Sequence, residues 1–279
     1  MPQAGFWHQV MAGGLRVPAG RPLDDLTAEL VTMLGSPDPA VRDGIAYPAL
    51  ATWISRGVYD DLLAGLGDGM VTGLQVGLGE AGTPSVFRRS FSALVVAECI
   101  ERDIVVQRLP AGRILDWGDR IAAWFIRERD LRGYVPGAGW ALAIAHGADA
   151  IGALAKSPHL GKPELTVMLD VLADRLLLPA PTLLTAGEPD RMAAATLHVL
   201  RRNVVPLSVL EPWIARLAHA AAHRPRDDVD PFLSTGNPEA FLRALYVQLS
   251  LAPGHPEVRA DLLLVLVAAL RASNPHHLS

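Results

Sequence analysis

The sequence has one cysteine, no long apolar run and no excess of positive charge, and each of these absences excludes a class of protein. The single cysteine, Cys99, cannot form an intramolecular disulfide or a cysteine-rich zinc site, and its apolar neighbours predict a buried thiol. The longest apolar run, residues 262–270, is far shorter than the ~20 residues that span a bilayer. The 25 Lys and Arg residues are outnumbered by 29 Asp and Glu residues, so the basic surface of a nucleic-acid binder is not expected. We therefore predict neither a membrane nor a nucleic acid as a partner.

The N-terminal segment also lacks the pattern of a secretory signal peptide. It reads MPQAGFWHQVMAGGLRVP, with no basic start followed by a sufficient apolar stretch, and this predicts a cytoplasmic protein. Half of the residues are apolar and 19% are charged, which allows a large buried core and excludes wholesale disorder.

Strand patterns are nearly absent, whereas Ala, Leu and Arg recur at helical spacing along most of the chain. An all-α fold is therefore predicted. Proline and glycine motifs predict helix starts near residues 38, 84, 138, 188 and 236, at intervals of roughly 46 to 54 residues. A second helix follows in most intervals, at about 110–130, 162–178, 206–223 and 256–272.

A period of this length that holds two helices is typical of HEAT and armadillo repeats. We predict an α-solenoid of about five helix pairs over 23–273, with an N-terminal arm over 1–22 and a C-terminal tail over 274–279. The glycine-rich stretch 64–82 fits the repeat poorly. In a solenoid the ligand is expected on the concave face, held by side chains from successive inner helices.

The most unusual segment runs from residue 126 to 149 and reads IRERDLRGYVPGAGWALAIAHGAD. Its three glycines and Pro136 predict a tight, fixed connection between two helices. Tyr134 and Trp140 are larger side chains than a simple connecting loop needs, which indicates that the segment packs against something. No strand precedes the segment and no Lys-Ser/Thr pair follows it, which argues against a nucleotide-phosphate loop.

His146 and Asp149 follow this connection and share one helical face. Asp149 is placed to orient the imidazole, which predicts a proton-transfer pair. The alternative is a hydrogen-bonded clasp between helices with no catalytic role. If the repeats align as predicted, further residues face the same hollow as substrate-binding candidates: Asp43, Tyr47, Arg89, Asp130, Arg132, Tyr134 and Trp140.

Three segments carry a resemblance to a known family: SPDPAVRDGIAYPALATWI, VFRRSFSALVVAE and ERDLRGYVPGAGWALAIAHGAD. They resemble the hallmark stretches of the bacterial family catalogued as domain of unknown function 2785, over roughly residues 24–250. The resemblance implies a HEAT-like helical protein without an assigned activity. The family pattern usually has a histidine four residues before the position of His146, where this sequence has Leu142. The resemblance therefore implies that any histidine pair at this site is lost here.

A histidine pair at metal-ligand spacing occurs elsewhere, at His219 and His223, followed by Asp227, Asp228 and Asp230. Catalytic zinc helices usually carry a glutamate within this spacing, but here all three intervening residues are alanine. Histidines at the negative end of a helix dipole are the alternative explanation. We predict no bound metal, and we expect His276 and His277 in the C-terminal tail.

Three functions are compatible with the sequence. The first is a small-molecule enzyme of the biosynthetic type without a cofactor, in which His146 moves a proton and Arg89 or Arg132 holds an anionic group. The second is a non-catalytic scaffold that binds a small molecule, a peptide or a protein. The third is a HEAT-like DNA glycosylase, which requires a basic concave face. Glycine, aromatic and ionisable residues converge on one connection, which favours a small-molecule ligand.

Overall fold

The computed structural model describes residues 4–223, 230–274 and 277–278, and the predicted all-α class is confirmed for them. The strands of this part of the chain form a single short hairpin. None of its helices combines the length and the hydropathy that a membrane crossing requires. Contacts between Cα atoms divide the chain into two compact units, Met1–Ala150 and Ile151–Ser279, which we call the first and second units. The domain boundaries expected from the sequence stay a prediction.

The first unit holds the predicted site residues. Its elements are α1 (Ala4–Ala12), α2 (Leu23–Met33), α3 (Pro39–Val41), a π-helical segment (Arg42–Ala46), α4 (Tyr47–Ser55), α5 (Leu63–Gly73), α6 (Ser85–Val106), α7 (Ala111–Arg127), β1 (Tyr134–Val135), β2 (Gly139–Trp140) and the first eight residues of α8 (Ala143–Lys156).

Helix α7 shows why these segments become helices. Its large apolar side chains recur every three or four residues, and those of Ile114, Trp117, Ile121 and Trp124 are all fully buried. The polar residues between them face outward. This stripe supplies much of the core of the first unit.

Helix α5 lies in the glycine-rich stretch that fits the repeat poorly. Gly67 lies against the Trp117 ring, and a Cβ atom there would come within 2.1 Å of it. Asp68, the next residue, accepts a hydrogen bond from the Trp117 indole N–H at 2.9 Å. Glycine in this stretch therefore permits close packing against α7, which obscures the apolar pattern of an ordinary helix.

Cys99 on α6 is fully buried, and burial raises the pKa of its thiol. Residues 4–12, at the N-terminal end of the described chain, form α1, whose Trp7 is buried with its ring centroid 6.2 Å from that of Trp53. Both residues belong to the core of the first unit.

The second unit contains the rest of α8 followed by five helices. They are α9 (Lys162–Leu177), α10 (Glu188–Leu200), α11 (Leu207–Ala222), α12 (Phe232–Leu251) and α13 (Arg259–Ser273). The starts of α10 and α12 lie within four residues of the motif-based predictions near 188 and 236, and α9, α11 and α13 begin within three residues of the predicted second helices. In the core, Trp213 donates its indole N–H to the carbonyl of Leu169 at 2.9 Å and packs edge-on against Phe241.

His219 and His223 lie exposed at the C-terminal end of α11, with their rings stacked 5.9 Å apart. Within the described ranges, no group of three or more His, Cys, Asp or Glu side chains is placed to hold a metal ion. Asp227, Asp228 and His276 lie outside the described residues.

Candidate functional site

The connection between α7 and α8 is a β-hairpin. Strand β1 pairs with β2, so that Tyr134 lies opposite Trp140. Pro136 and Gly137 form the turn, with Gly137 at a φ of +78° and the Ala138 N–H bound to the Val135 carbonyl at 3.0 Å. This is the pattern of a type II turn, which requires glycine at its third position. The sequence motif thus encodes a defined turn.

Tyr134 and Trp140 lie at the surface of the hairpin. Their side chains are 61% and 48% exposed, and their rings meet edge to face at 5.2 Å. Both are available to a ligand or a partner. They do not line an enclosed hollow.

Arg42, the first residue of the π-helical segment, holds the hairpin in place through hydrogen bonds to its backbone. The side chain is fully buried and donates to the carbonyls of Ser36 at 2.8 Å and Ala138 at 2.9 Å. Its guanidinium lies 4.1 Å from the Phe87 ring centroid and 4.9 Å from that of Phe91. Such stacking stabilises a buried cation. Arg42 therefore fixes the position of the aromatic pair.

Gly139 shows how closely this anchor fits. It has a φ of +76°, and an added Cβ would lie 3.1 Å from Pro39 and 3.2 Å from Arg42 Nη2. Asp43, a predicted site residue, is 38% exposed and pairs with Arg42 at 2.8 Å. The Asp43 carboxylate thus helps to hold the Arg42 side chain in position.

His146 is almost fully buried and bonds Ser90 on α6. Ser90 Oγ donates its only hydrogen to the Ala141 carbonyl and lies 2.8 Å from His146 Nδ1. Since that hydrogen is taken, Nδ1 must be the donor to Ser90 Oγ. The neutral imidazole then has its proton on Nδ1 and its basic lone pair on Nε2. The His146 ring also packs edge-on against Phe91 at 5.3 Å.

Arg89 is fully buried and bound to Glu128, which is also buried. Two bonds, of 2.5 and 2.8 Å, join the guanidinium and the carboxylate. The other donors of Arg89 reach the carbonyls of Val76, Gly77 and Glu80 and the Ser85 hydroxyl. All five N–H groups are used within the protein. The expected role of Arg89 in holding an anionic ligand does not fit this geometry.

Asp130 and Arg132 form a second ion pair in the same connection. The buried Asp130 carboxylate accepts from Arg132 at 2.6 Å and from the Gly82 N–H at 2.9 Å. Arg132 also donates to the Thr83 carbonyl at 2.8 Å. The bond to Asp130 raises the pKa of Arg132. These contacts tie the connection to the loop before α6.

The two remaining candidates lie on helices. Tyr47 donates to Glu98 at 2.9 Å and packs edge-on against Phe91 at 6.1 Å. Asp149 is half-buried on α8, and at Nδ1 of His146 the partner is Ser90. The structure thus gathers Arg42, Tyr47 and His146 around Phe91, whereas Arg89 is committed to Glu128.

A separate cavity of about 460 Å³ opens in the first unit between α2, α5 and α6. We call it the Arg88 cavity. Its walls are mainly apolar, and the residues that matter most below are Val31, Tyr59, Leu66, Gly69, Met70 and Arg88.

Two polar side chains contribute to these walls. The Tyr59 hydroxyl lies 2.8 Å from that of Thr27, and burial raises the pKa of Tyr59 to about 12, so the phenol stays neutral. Arg88 donates through Nη1 to the Val31 carbonyl, and burial lowers its pKa. Within the described residues Arg88 Nε is buried without an acceptor, and Ser92 Oγ is buried without a partner.

Sequence patterns did not single out Arg42, Phe91, Glu128 or this cavity. Nothing in the local sequence distinguishes Arg88 from its neighbour Arg89, or reveals that Arg42 is buried. Leu142 has the left-handed φ of +52° and precedes α8. Residues 142 and 146 are therefore not a simple pair on one helix.

A comparison with protein families matches residues 74–247 to the family described as protein of unknown function (DUF2785). The matched range includes the hairpin, both buried ion pairs and His146. No curated protein and no solved structure matches the chain. Since the match covers more than half of its length, the chain belongs to the DUF2785 family.

Proposed function

We propose that this protein binds a small apolar molecule in the Arg88 cavity and does not transform it. The cavity itself is the observation that carries the proposal. Its volume of about 460 Å³ lies within the range of small-molecule sites, ~300–1,000 Å³, and its walls are apolar with a few polar groups. This is the binding alternative left open by the sequence, at a different place from the predicted residues.

The bonding of the predicted residues supports a non-catalytic role. Arg89 is bound by Glu128 and by backbone carbonyls, while Asp130 and Arg132 bond each other and the loop before α6. Ser90 is not a nucleophile activated by His146, since its hydrogen goes to the Ala141 carbonyl. We assign these groups to a clasp that holds the hairpin and α6 in place.

The proposal also includes a HEAT-like arrangement of helix pairs. Within the second unit, α10 contacts α12, and α11 contacts both α12 and α13. Within the first unit, α4 contacts α6 and α5 contacts both α6 and α7. Contacts to the next helix and to the one after it are what stacked pairs produce. They support a solenoid, which a solved structure of the whole chain would test.

A neutral fluorescent dye, N-phenylnaphthylamine, tests the cavity directly. Gly69 lines the cavity, and nothing lies within 4 Å of a Cβ added there. The Gly69→Leu side chain should therefore fill the space, and replacing a helical glycine should not weaken α5. We expect the dye to brighten with the wild-type protein and to stay dim with Gly69→Leu.

Gly112 provides the matched control. It lies on α7 away from the cavity, and its added Cβ would also meet nothing within 4 Å. Gly112→Leu should bind the dye like the wild type. Equal dye binding by the wild type and Gly69→Leu would refute the proposed site.

Catalysis by His146 is the second candidate, and one observation favours it. The bond to Ser90 places the proton of the neutral ring on Nδ1 and the lone pair on Nε2, the nitrogen that a general base would use. Substitution of His146 by Gln keeps a hydrogen-bond donor but removes the base. Once a substrate is found, loss of turnover with retained substrate binding in His146→Gln would favour the enzyme over the binding protein.

A further inference from the structure

We infer that the ligand of the Arg88 cavity is an apolar monocarboxylic acid whose carboxylate pairs with Arg88. This inference rests on the proposed function and specifies the class of ligand. It follows from the bonding of Arg88, from its place in the cavity wall and from the charges around the cavity.

Arg88 differs in its bonding from three other arginines of the first unit. Arg42, Arg89 and Arg132 each pair with a carboxylate within 2.8 Å. Arg88 bonds only the Val31 carbonyl, and in the part of the chain that the structure describes its Nε has no acceptor. A desolvated cation without a counter-ion is unfavourable. An anionic ligand would supply the missing charge.

Beside Arg88, α5 packs closely against α6. A Cβ placed on Gly73 would lie 3.0 Å from Arg88 Nε and 2.3 Å from Ser92 Oγ. Both atoms are buried, neither has a hydrogen-bond partner among the described residues, and both can donate a hydrogen bond. They converge where α5 has no side chain, one helical turn beyond Gly69 and Met70 in the cavity wall. Because this packing shields Arg88 Nε and Ser92 Oγ, we expect the carboxylate at the part of Arg88 that lines the cavity.

The remaining charges favour a monoanion. Asp24 and Asp61 also contribute to the cavity surface, but Asp61 is 87% exposed and paired with Arg108 at 3.5 Å, and Asp24 is solvent-exposed. A single cation flanked by two rim carboxylates suits one negative charge better than the two of a phosphate monoester. The apolar wall then takes the hydrocarbon part of the acid.

Octanoate and octanol are the probes, since they differ mainly in the charged head. Binding of each is measured by displacement of N-phenylnaphthylamine from the wild-type protein at pH 7. A charge-assisted bond to the half-buried Arg88 guanidinium predicts that octanoate binds roughly tenfold or more tightly than octanol. The Arg88→Met variant should bind both with equal affinity. Because this change removes a desolvated charge, we expect the variant to fold.

The outcomes separate the two proposals. If octanol binds as tightly as octanoate to the wild type, the acid inference is overturned while the apolar cavity stands. If neither the dye nor either probe binds, the proposed function fails as well. The Arg88→Lys variant gives a second comparison: it keeps the charge and should retain part of the preference for octanoate, and loss of all preference would contradict a charge-based mechanism.

Discussion

Replacing Arg42 by methionine should release the hairpin and destabilise the first unit. The bonds to the Ser36 and Ala138 carbonyls, at 2.8 and 2.9 Å, are charge-assisted and lie on a fully buried side chain. At about 1.5 kcal/mol for each bond, their loss lowers the free energy of unfolding by about 3 kcal/mol. Methionine keeps the apolar contact with the Phe87 and Phe91 rings. The loss therefore measures the hydrogen bonds rather than the packing.

Urea denaturation followed by circular dichroism gives the change in stability, and acrylamide quenching reports the hairpin. Of the six tryptophans, five are at most 5% exposed, whereas Trp140 is 48% exposed. Quenching thus reports mainly Trp140 and should increase in Arg42→Met.

The control is Arg56→Met, which also removes bonds to backbone carbonyls but from an exposed arginine. Its effect should stay below about 1 kcal/mol. A loss below about 1 kcal/mol in Arg42→Met, with unchanged quenching, would refute the anchoring role.

Three further predictions concern stability. Glu128→Gln leaves the buried Arg89 charge without its partner and should cost about 3–5 kcal/mol in urea denaturation; a cost below about 1 kcal/mol would contradict the clasp. Gln107 ends α6 with a φ of +52°, so Gln107→Gly should raise the unfolding free energy by about 1 kcal/mol, and an unchanged or lower value would argue against strain there. Burial raises the pKa of Glu188 above 4.5, so the folded chain holds this proton more tightly than the unfolded chain. The stability that this group contributes is present below pH 4.5 and is lost as the pH rises through the folded pKa. The unfolding free energy of the wild type should therefore fall relative to that of Glu188→Gln between pH 4 and pH 7. A difference between the two free energies that stays constant over this range would contradict the prediction.

The helices were predictable because proline, glycine and apolar spacing act locally. The motif GEPDRM predicts a helix start near residue 188, and α10 begins at Glu188. The start near residue 138 was wrong by about five residues, because PGAG forms a hairpin turn and α8 begins only at Ala143. The helix in the glycine-rich segment was hard to predict for a related reason. Gly67 must lack a side chain because the Trp117 ring packs against it, and Trp117 lies 50 residues later in the chain.

The site was less predictable because its bonds join distant residues. The sequence identifies Arg42 as charged but does not reveal that its donor reaches Ala138, 96 positions later. Likewise Arg88 and Arg89 are neighbours of the same type, yet one is saturated by Glu128 and the other faces a cavity. One step along a helix changes the direction of a side chain by ~100°, and only the tertiary packing around α6 decides what each arginine meets.

A crystal structure of the protein soaked with octanoate tests the central claim most directly. We expect density for the acid between α2 and α5, with its carboxylate against Arg88, and no change at His146. Density for octanoate on the Tyr134 and Trp140 rings or at His146, with the Arg88 cavity empty, would contradict the account.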